Sequence, residues 1–312
     1  MRNFKLRIII LAILLLGAIF SLYTVWLEEG GGILTVSFLN IGQGDATFIE
    51  GPNGNQILID GGPGRSILRE LSAVMPFYDR SIDVVVATHA DQDHVGGLPD
   101  VLNKYNVNIF METEVAGESS SYEELEKMIV EKESIGKIKK ILARRGMKVD
   151  LGGGAVLQIL FPDRDPSGME TNTSSIVARL VYGKNEFLFT GDSPKAIEEY
   201  LVSLEKNLKE GHLQECQGQP LNCPGPKGLP LTLQSDVLKA GHHGSKTSTS
   251  AEFVSAVSPE FAVISVGKDN RYGHPNQETL DALTNFSAKI LRTDQLGRII
   301  FQSDGVNLEI TP

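Results

Sequence analysis

Val84–Val85–Val86–Ala87–Thr88–His89–Ala90–Asp91–Gln92–Asp93–His94–Val95–Gly96–Gly97 is the stretch that decides how this chain is read. Its β-branched apolar run predicts a buried strand, and the glycine pair with the apolar residues after it predicts a tight turn into a helix. Between the two stand four potential metal ligands: His89, Asp91, Asp93 and His94. A strand end holds such groups rigidly and can aim all of them into one pocket. One divalent ion takes roughly four to six donors. Two imidazoles and two carboxylates so close together therefore predict half of a two-metal site.

Later segments supply the other half in chain order. Phe187–Leu188–Phe189–Thr190–Gly191–Asp192 reads as a second buried strand that ends in a carboxylate. Gly191 lets the backbone turn sharply, and Asp192 is placed to bridge both ions; a helix N-cap before Pro194 is its structural alternative. Gly241–His242–His243–Gly244–Ser245 follows a third apolar strand. His89 and Asp91 are expected to hold one ion and Asp93 and His94 the other, with the histidine pair completing the donor set of the second ion. Adjacent side chains tend to point apart, so one of His242 and His243 is expected to bind metal and the other to contact substrate; the sequence leaves open which.

The composition narrows the class. The chain has 312 residues, 41% of them hydrophobic and 22% charged, enough to bury a substantial core. Its formal net charge is −10, and three of its basic residues, Arg2, Lys5 and Arg7, stand before the first acid at Glu28. The body is therefore more acidic still, which argues against a broad basic surface for duplex DNA. Phosphate substrates remain open, because bound cations reverse the local field. Residues 8–27 form an uncharged apolar run of a length suited to one membrane span. Residues 1–29 are thus expected to be an anchor, with basic residues inside, Tyr23 and Trp26 at the interface and the body outside the cytoplasm. Secretion after cleavage of a signal segment is the alternative. The only cysteines, Cys216 and Cys223, flank a Gly/Pro-rich insertion near residues 211–231; in an exported protein a local disulfide is the simplest account of them.

Residues 30–312 read as one hydrolase-like body. Strands are expected over 33–41, 45–50, 56–60, 82–88, 107–111 and 155–161. A hairpin is expected over 175–190 across Gly183–Lys184–Asn185, further strands over 237–240 and 261–266, and a closing hairpin over 298–310. Helices are expected over 65–75, 98–105, 121–132, 194–208 and 277–286. The two halves echo each other weakly, each giving strands, a ligand cluster at a strand end, and then a helix. Two such halves with their helices outside predict an α/β fold, an αββα four-layer sandwich whose ligand loops meet at one edge of the sheets.

These residues resemble the metallo-β-lactamase fold superfamily, and most specifically the C-terminal hydrolase-like domain of the ComEC competence proteins. The likeness rests on His-Ala-Asp-Gln-Asp-His at 89–94, Thr190–Gly191–Asp192 and Gly-His-His-Gly-Ser at 241–245. It extends to Gly42–Gln43–Gly44–Asp45–Ala46, Leu58–Ile59–Asp60–Gly61–Gly62, Asn172–Thr173–Ser174–Ser175 and Arg271–Tyr272–Gly273–His274–Pro275. It covers roughly residues 34–310. ComEC proteins carry many membrane spans and this chain has one apolar run, so transport is not implied. Asp91 stands where the wider superfamily has a second histidine, and no histidine lies near Asn172. Both departures enrich the site in oxygen, which favours Mn²⁺ over Zn²⁺, and both argue against a β-lactamase.

The resemblance implies a metal-dependent phosphodiesterase or nuclease with two divalent ions, Mn²⁺ or Zn²⁺, acting on single-stranded DNA or a related phosphodiester. The ions would activate a water as nucleophile. Asp93 is expected to orient that water, and Asn172, Ser245 and His274 to bind the scissile phosphate. His274 is also a candidate to protonate the leaving oxygen, with a plain turn residue as the alternative. Asp45 and Asp60 are expected to support the ligands rather than bind metal themselves. The competing readings are hydrolysis of a phosphocholine or cell-wall phosphodiester, and a DNA-binding module with a weak site.

Overall fold

The computed structural model describes residues 2–28, 32–210 and 231–311. Helix α1 (Arg2–Glu28) precedes the body. Strands β1 (Leu34–Phe38), β2 (Thr47–Glu50) and β3 (Gln56–Ile59) form an antiparallel meander. After α2 (Ser66–Val74), strand β4 (Ser81–Val86) turns parallel to β3. The short α3 (Gln92–Val95) and α4 (Leu98–Lys104) lead to β5 (Asn106–Glu112), and α5 (Ser120–Ser134), capped by Ser119, leads to β6 (Lys139–Leu142). Both of these strands add in parallel.

The second half repeats the plan. Strands β7 (Lys148–Gly152), β8 (Ala155–Phe161), β9 (Val177–Tyr182) and β10 (Asn185–Phe189) form the antiparallel part. Helix α6 (Lys195–Lys209) and parallel strand β11 (Val237–Lys239) follow. Then come α7 (Ala251–Val257), β12 (Phe261–Ile264), α8 (Gln277–Asn285) and β13 (Lys289–Arg292), again with parallel pairing. After α9 (Thr293–Leu296), the hairpin β14 (Ile299–Ser303) and β15 (Leu308–Thr311) returns to the first sheet beside β1. The sheets run β15-β14-β1-β2-β3-β4-β5-β6 and β13-β12-β11-β10-β9-β8-β7. In both halves the change from antiparallel to parallel pairing falls between two strands whose C-terminal ends meet at the candidate site.

Alternation along the strands sets the layers. Ile57, Ile59, Val84, Val86, Phe187 and Phe189 share one core between the sheets. Leu58 and Val85 turn the other way, onto a second core with residues of α2, α4 and α5, while Leu188 and Leu238 meet residues of α6, α7 and α8 in a third. Phe301 ties the central core together, meeting Phe38 and Phe187 edge to face at 6.0 and 5.8 Å between ring centroids. Three cores between four layers give the expected αββα sandwich.

Strands β6, β7 and β13 are additions to the sequence reading. They are short outer strands, and lysines at their starts break the apolar signal. The membrane-spanning helix expected over residues 8–27, with the single-pass placement built on it, is corrected. Among the described residues no helix is long and apolar enough to cross a membrane. The expected boundary at residues 29–30 and the pair Cys216 and Cys223 with its disulfide lie outside the described residues.

Candidate metal centre

The site forms where the C-terminal ends of β3, β4, β10 and β11 come together. Backbone close approach builds the first wall. Gly97 packs against the carbonyl of Gly61, where a Cβ would collide. Asp45 N–H donates to the Asp93 carbonyl at 3.1 Å, next to Gly44 at φ +135°. This draws the loop before β2 against α3, which carries Asp93 and His94.

Asp60, at the end of β3, sets two imidazoles. His94 Nδ1 lies 2.8 Å from Asp60 Oδ2 and donates to it, which leaves Nε2 facing the site. Thr88 Oγ1 donates to the same carboxylate at 2.7 Å and stands 3.1 Å from His89 Nδ1. Its one proton is committed, so His89 Nδ1–H donates to it and His89 Nε2 also faces inward. His243 is held similarly, with Nδ1 3.0 Å from the Ser265 carbonyl.

Asp192 is the hub. Its oxygens lie 3.2 Å from His94 Nε2, 3.6 Å from His242 Nε2 and 3.8 Å from His243 Nε2. Both histidines of the pair reach it because both have left-handed backbones, with φ of 49° and 54°. Two successive residues in this uncommon conformation turn side chains that would otherwise diverge toward one carboxylate. Asp93 Oδ2 is 3.1 Å from His243 Nε2, and the half-exposed Asp91 is 3.6 Å from His89 Nε2. The tightest group of ligand atoms, all within 4.8 Å of one another, belongs to Asp45, His94, Asp192 and His243. Asp45 was assigned a supporting role on sequence grounds; here it stands in the wall of the cluster, paired with the ammonium of buried Lys239.

Charge in the site is balanced internally. Burial opposes ionisation of His94, yet Asp192 and Asp60 raise its pKa well above the usual value. Burial likewise opposes the charge on His243, which Asp192 and Asp45 push up to about 9. Burial alone would raise the pKa of Asp192, but His94 and His243 hold it well below the carboxylate range. Protons on imidazoles thus supply the positive charge that a cation would supply, and metal binding would displace them. The donor set fits a divalent ion. Among the described residues, His89 Nε2, His94 Nε2, Asp192 Oδ1 and Asp45 Oδ1 are buried without a hydrogen-bond partner. Each such atom costs about 1–3 kcal/mol unless something satisfies it, and a mixed nitrogen and oxygen set suits a transition metal.

The remaining expected residues lie around this cluster. His274 is half-buried, its ring 5.9 Å from that of His242, and burial followed by His242 and His243 lowers its pKa. Asn172 opens the short turn Asn172–Ser174 with Oδ1 buried and unpartnered among the described residues. It lines a groove of about 460 Å³ together with Asp91, Glu118 and Glu170. Ser245 does not face this groove. Its hydroxyl is 3.0 Å from Thr247 Oγ1, which is 3.1 Å from His242 Nδ1. Sequence reasoning missed Thr88 and Lys239. For Lys239 a signal existed: a lysine in a short strand expected to be apolar on both faces.

The geometry agrees with comparison to known proteins. Residues 39–268 match the model of the Metallo-beta-lactamase superfamily. ComE operon protein 3 of Bacillus subtilis (strain 168) is 30% identical over 86% of this chain and 33% of its own length. Competence protein ComA of Neisseria gonorrhoeae is 29% identical over 93% of this chain and 35% of its own. The chain therefore spans about a third of the length of these relatives. Igni18, a metallo hydrolase from Ignicoccus hospitalis KIN4/I, superposes with a TM-score of 0.50 at 15% identity, covering 86% of this chain and 98% of its own. The matched residues include the first ligand loop, Asp192 and the histidine pair, and the four layers place them together. On fold and ligand set alike, the chain belongs to the metallo-beta-lactamase superfamily of metal-dependent hydrolases, with relatives among the ComEC-family competence proteins.

Proposed function

We propose that this protein is a phosphodiesterase that cleaves DNA or a related phosphodiester with two divalent ions, Mn²⁺ or Zn²⁺. The observation that carries the reading is the convergence on Asp192 of buried, unpartnered imidazole nitrogens and carboxylate oxygens from both halves of the chain. His89, Asp91, Asp93, His94, Asp192 and the His242–His243 pair would hold the ions, with Asp45 beside them. Bound divalent ions supply water activation and charge neutralisation at a phosphoryl group. Asp91 and Asp93 bring extra oxygen to the donor set, which favours Mn²⁺.

The chain's own groups then divide the work. Asp93, only partly buried and held 3.1 Å from His243 Nε2, accepts a hydrogen bond from the attacking water and orients it. His274 is neutral at neutral pH, given its lowered pKa, and stands at the rim beside His242, where its imidazole meets a phosphate or leaving oxygen. The Asn172 side chain contacts the same phosphate. Ser245 acts through Thr247 on the orientation of His242. A second reading draws on the groove carrying Asp91, Glu118 and Glu170: those carboxylates suit a cationic group, as in a phosphocholine ester.

The test uses the purified full chain, stripped of metal and reloaded with Mn²⁺ or Zn²⁺. Substrates are single-stranded DNA, duplex DNA, bis-p-nitrophenyl phosphate and p-nitrophenyl phosphocholine. Metal-dependent cleavage of the diesters is expected, with a loss of about 100-fold or more in Asp192→Asn. No cleavage of any of the four with either metal overturns the reading, and preference for the choline ester selects the second one.

A further inference from the structure

The loop between β12 and α8 carries rings outward from the metal centre. Buried His243 meets His242 at 6.1 Å between centroids, His242 meets His274 at 5.9 Å, and Tyr272 lies nearly parallel to His274 at 5.7 Å and 24°. Tyr272 is 69% exposed. No other ring and no hydrogen bond engages it among the described residues. The loop beneath it is held firmly. The Asn270 amide donates to the carbonyls of Gly267 and His274 at 3.1 and 2.8 Å, and its oxygen accepts from His274 N–H at 2.9 Å. Gly267 N–H donates to Gln43 Oε1 at 3.1 Å, docking the loop on the first half of the molecule. A large aromatic ring is therefore presented to solvent on a fixed support, in line with the catalytic histidines and without a packing role of its own.

The charges around it differ from those of the Asp91 groove. Lys268 and Arg271 are exposed in this loop, with one acid, Asp269, between them, and exposed Lys246 lies on the neighbouring loop after the histidine pair. None of the three cations is within ion-pair distance of a carboxylate among the described residues. Lys246 already faces the field of Glu278, which leaves Lys268 and Arg271, on the same loop as Tyr272, as exposed cations suited to a polyanion on a chain of net charge −10.

From this juxtaposition we propose that Tyr272, backed by His274, is a stacking site for an unpaired nucleobase, with Lys268 and Arg271 meeting the flanking phosphates. The proposal rests on the phosphodiesterase reading and sharpens its substrate to single-stranded nucleic acid. An aromatic face accepts any base, and cations beside it track the backbone. A paired base is stacked inside its duplex and cannot lie on Tyr272 without being extruded.

The experiment measures binding and cleavage separately. Fluorescence anisotropy at fixed ionic strength, in EDTA, compares a fluorescein-labelled oligothymidylate with an abasic strand of the same length. Wild type is expected to bind the base-bearing strand about 10-fold more tightly. Tyr272→Ala should lose that preference and Tyr272→Trp should keep it. Equal affinity for the two strands, or a preference that survives Tyr272→Ala, overturns the stacking site whatever the cleavage result. Absence of cleavage of either strand with both Mn²⁺ and Zn²⁺ instead overturns the single-stranded substrate assignment even where the anisotropy preference holds, and the phosphodiesterase reading fails with it only where the four substrates of its own test are also left uncut.

Discussion

Asp60 shows how much of the site rests on a residue that would touch no metal. One carboxylate fixes His94 directly and His89 through Thr88, so a single substitution loosens two ligands. Asp60→Asn should lower Mn²⁺ affinity about 10–100-fold, measured by calorimetry on the stripped protein. Lys239 has a different part. It is buried against Asp45, so Lys239→Met removes the strongest of the cations facing that carboxylate and leaves His243 and His94 to offset it, with an expected cost of up to about 3–5 kcal/mol in metal-free urea denaturation. Adding Asp45→Asn to that variant should recover much of the loss. At this scale the sequence was informative about the ligand candidates that the fold brings together and poor about the residues that support them. His89, Asp91, Asp93, His94 and Asp192 lie together in a string or at a strand end, where chemistry and spacing coincide. Thr88 and Lys239 act through contacts with residues 28 and 194 positions away; a lysine in an apolar strand marks Lys239 as unusual, but no local pattern names the distant partner of either residue.

The elements that carry ligands are those whose sequences speak most clearly. Strands β4, β10 and β11, and β3 which carries Asp60 beside them, lie inside their sheets, and their last residues before the turn are apolar and buried except for Lys239 in β11. The outer strand β6 begins Lys139–Lys140 and was not anticipated, although Lys140 does more than keep a sheet edge soluble. It bridges Glu112, at the end of β5, and Glu126 on α5, at 2.5 and 2.8 Å. Burial raises the Glu112 pKa to about 7 against the opposing pull of Lys140. The folded protein therefore keeps a proton on Glu112 that the unfolded chain releases near pH 4.5. The stability this contributes is complete below that pH and is lost as pH rises to about 7. Across that window the stability of Glu112→Gln should gain on that of wild type by roughly 2–3 kcal/mol, read from urea midpoints at successive pH values.

For the whole molecule, the echo between halves proved to be a shared plan: an antiparallel meander, then parallel strands, with Asp60 and Asp192 closing equivalent strands. Composition and periodicity carried that plan into the four-layer expectation. The apolar N-terminal run carried a reading of similar simplicity that the structure corrects: among the described residues no helix is long and apolar enough to cross a membrane. Metal should couple the halves. A ligand present at 100 times its dissociation constant stabilises the folded state by about 2.7 kcal/mol, so Mn²⁺ at that excess should raise the urea midpoint of wild type. Asp192→Asn should lose most of that gain.

The inter-sheet core acquires a second meaning from this arrangement. Asp45, His89 and His94 ride on one sheet and Asp192 and His243 on the other, while Phe301, Phe38 and Phe187 set the spacing between them. The metal centre is therefore a gauge of sheet-to-sheet distance. A cavity opened deep among those phenylalanines would register at the catalytic edge as mismatched coordination, a chemical defect whose origin lies in oil rather than in any charged group.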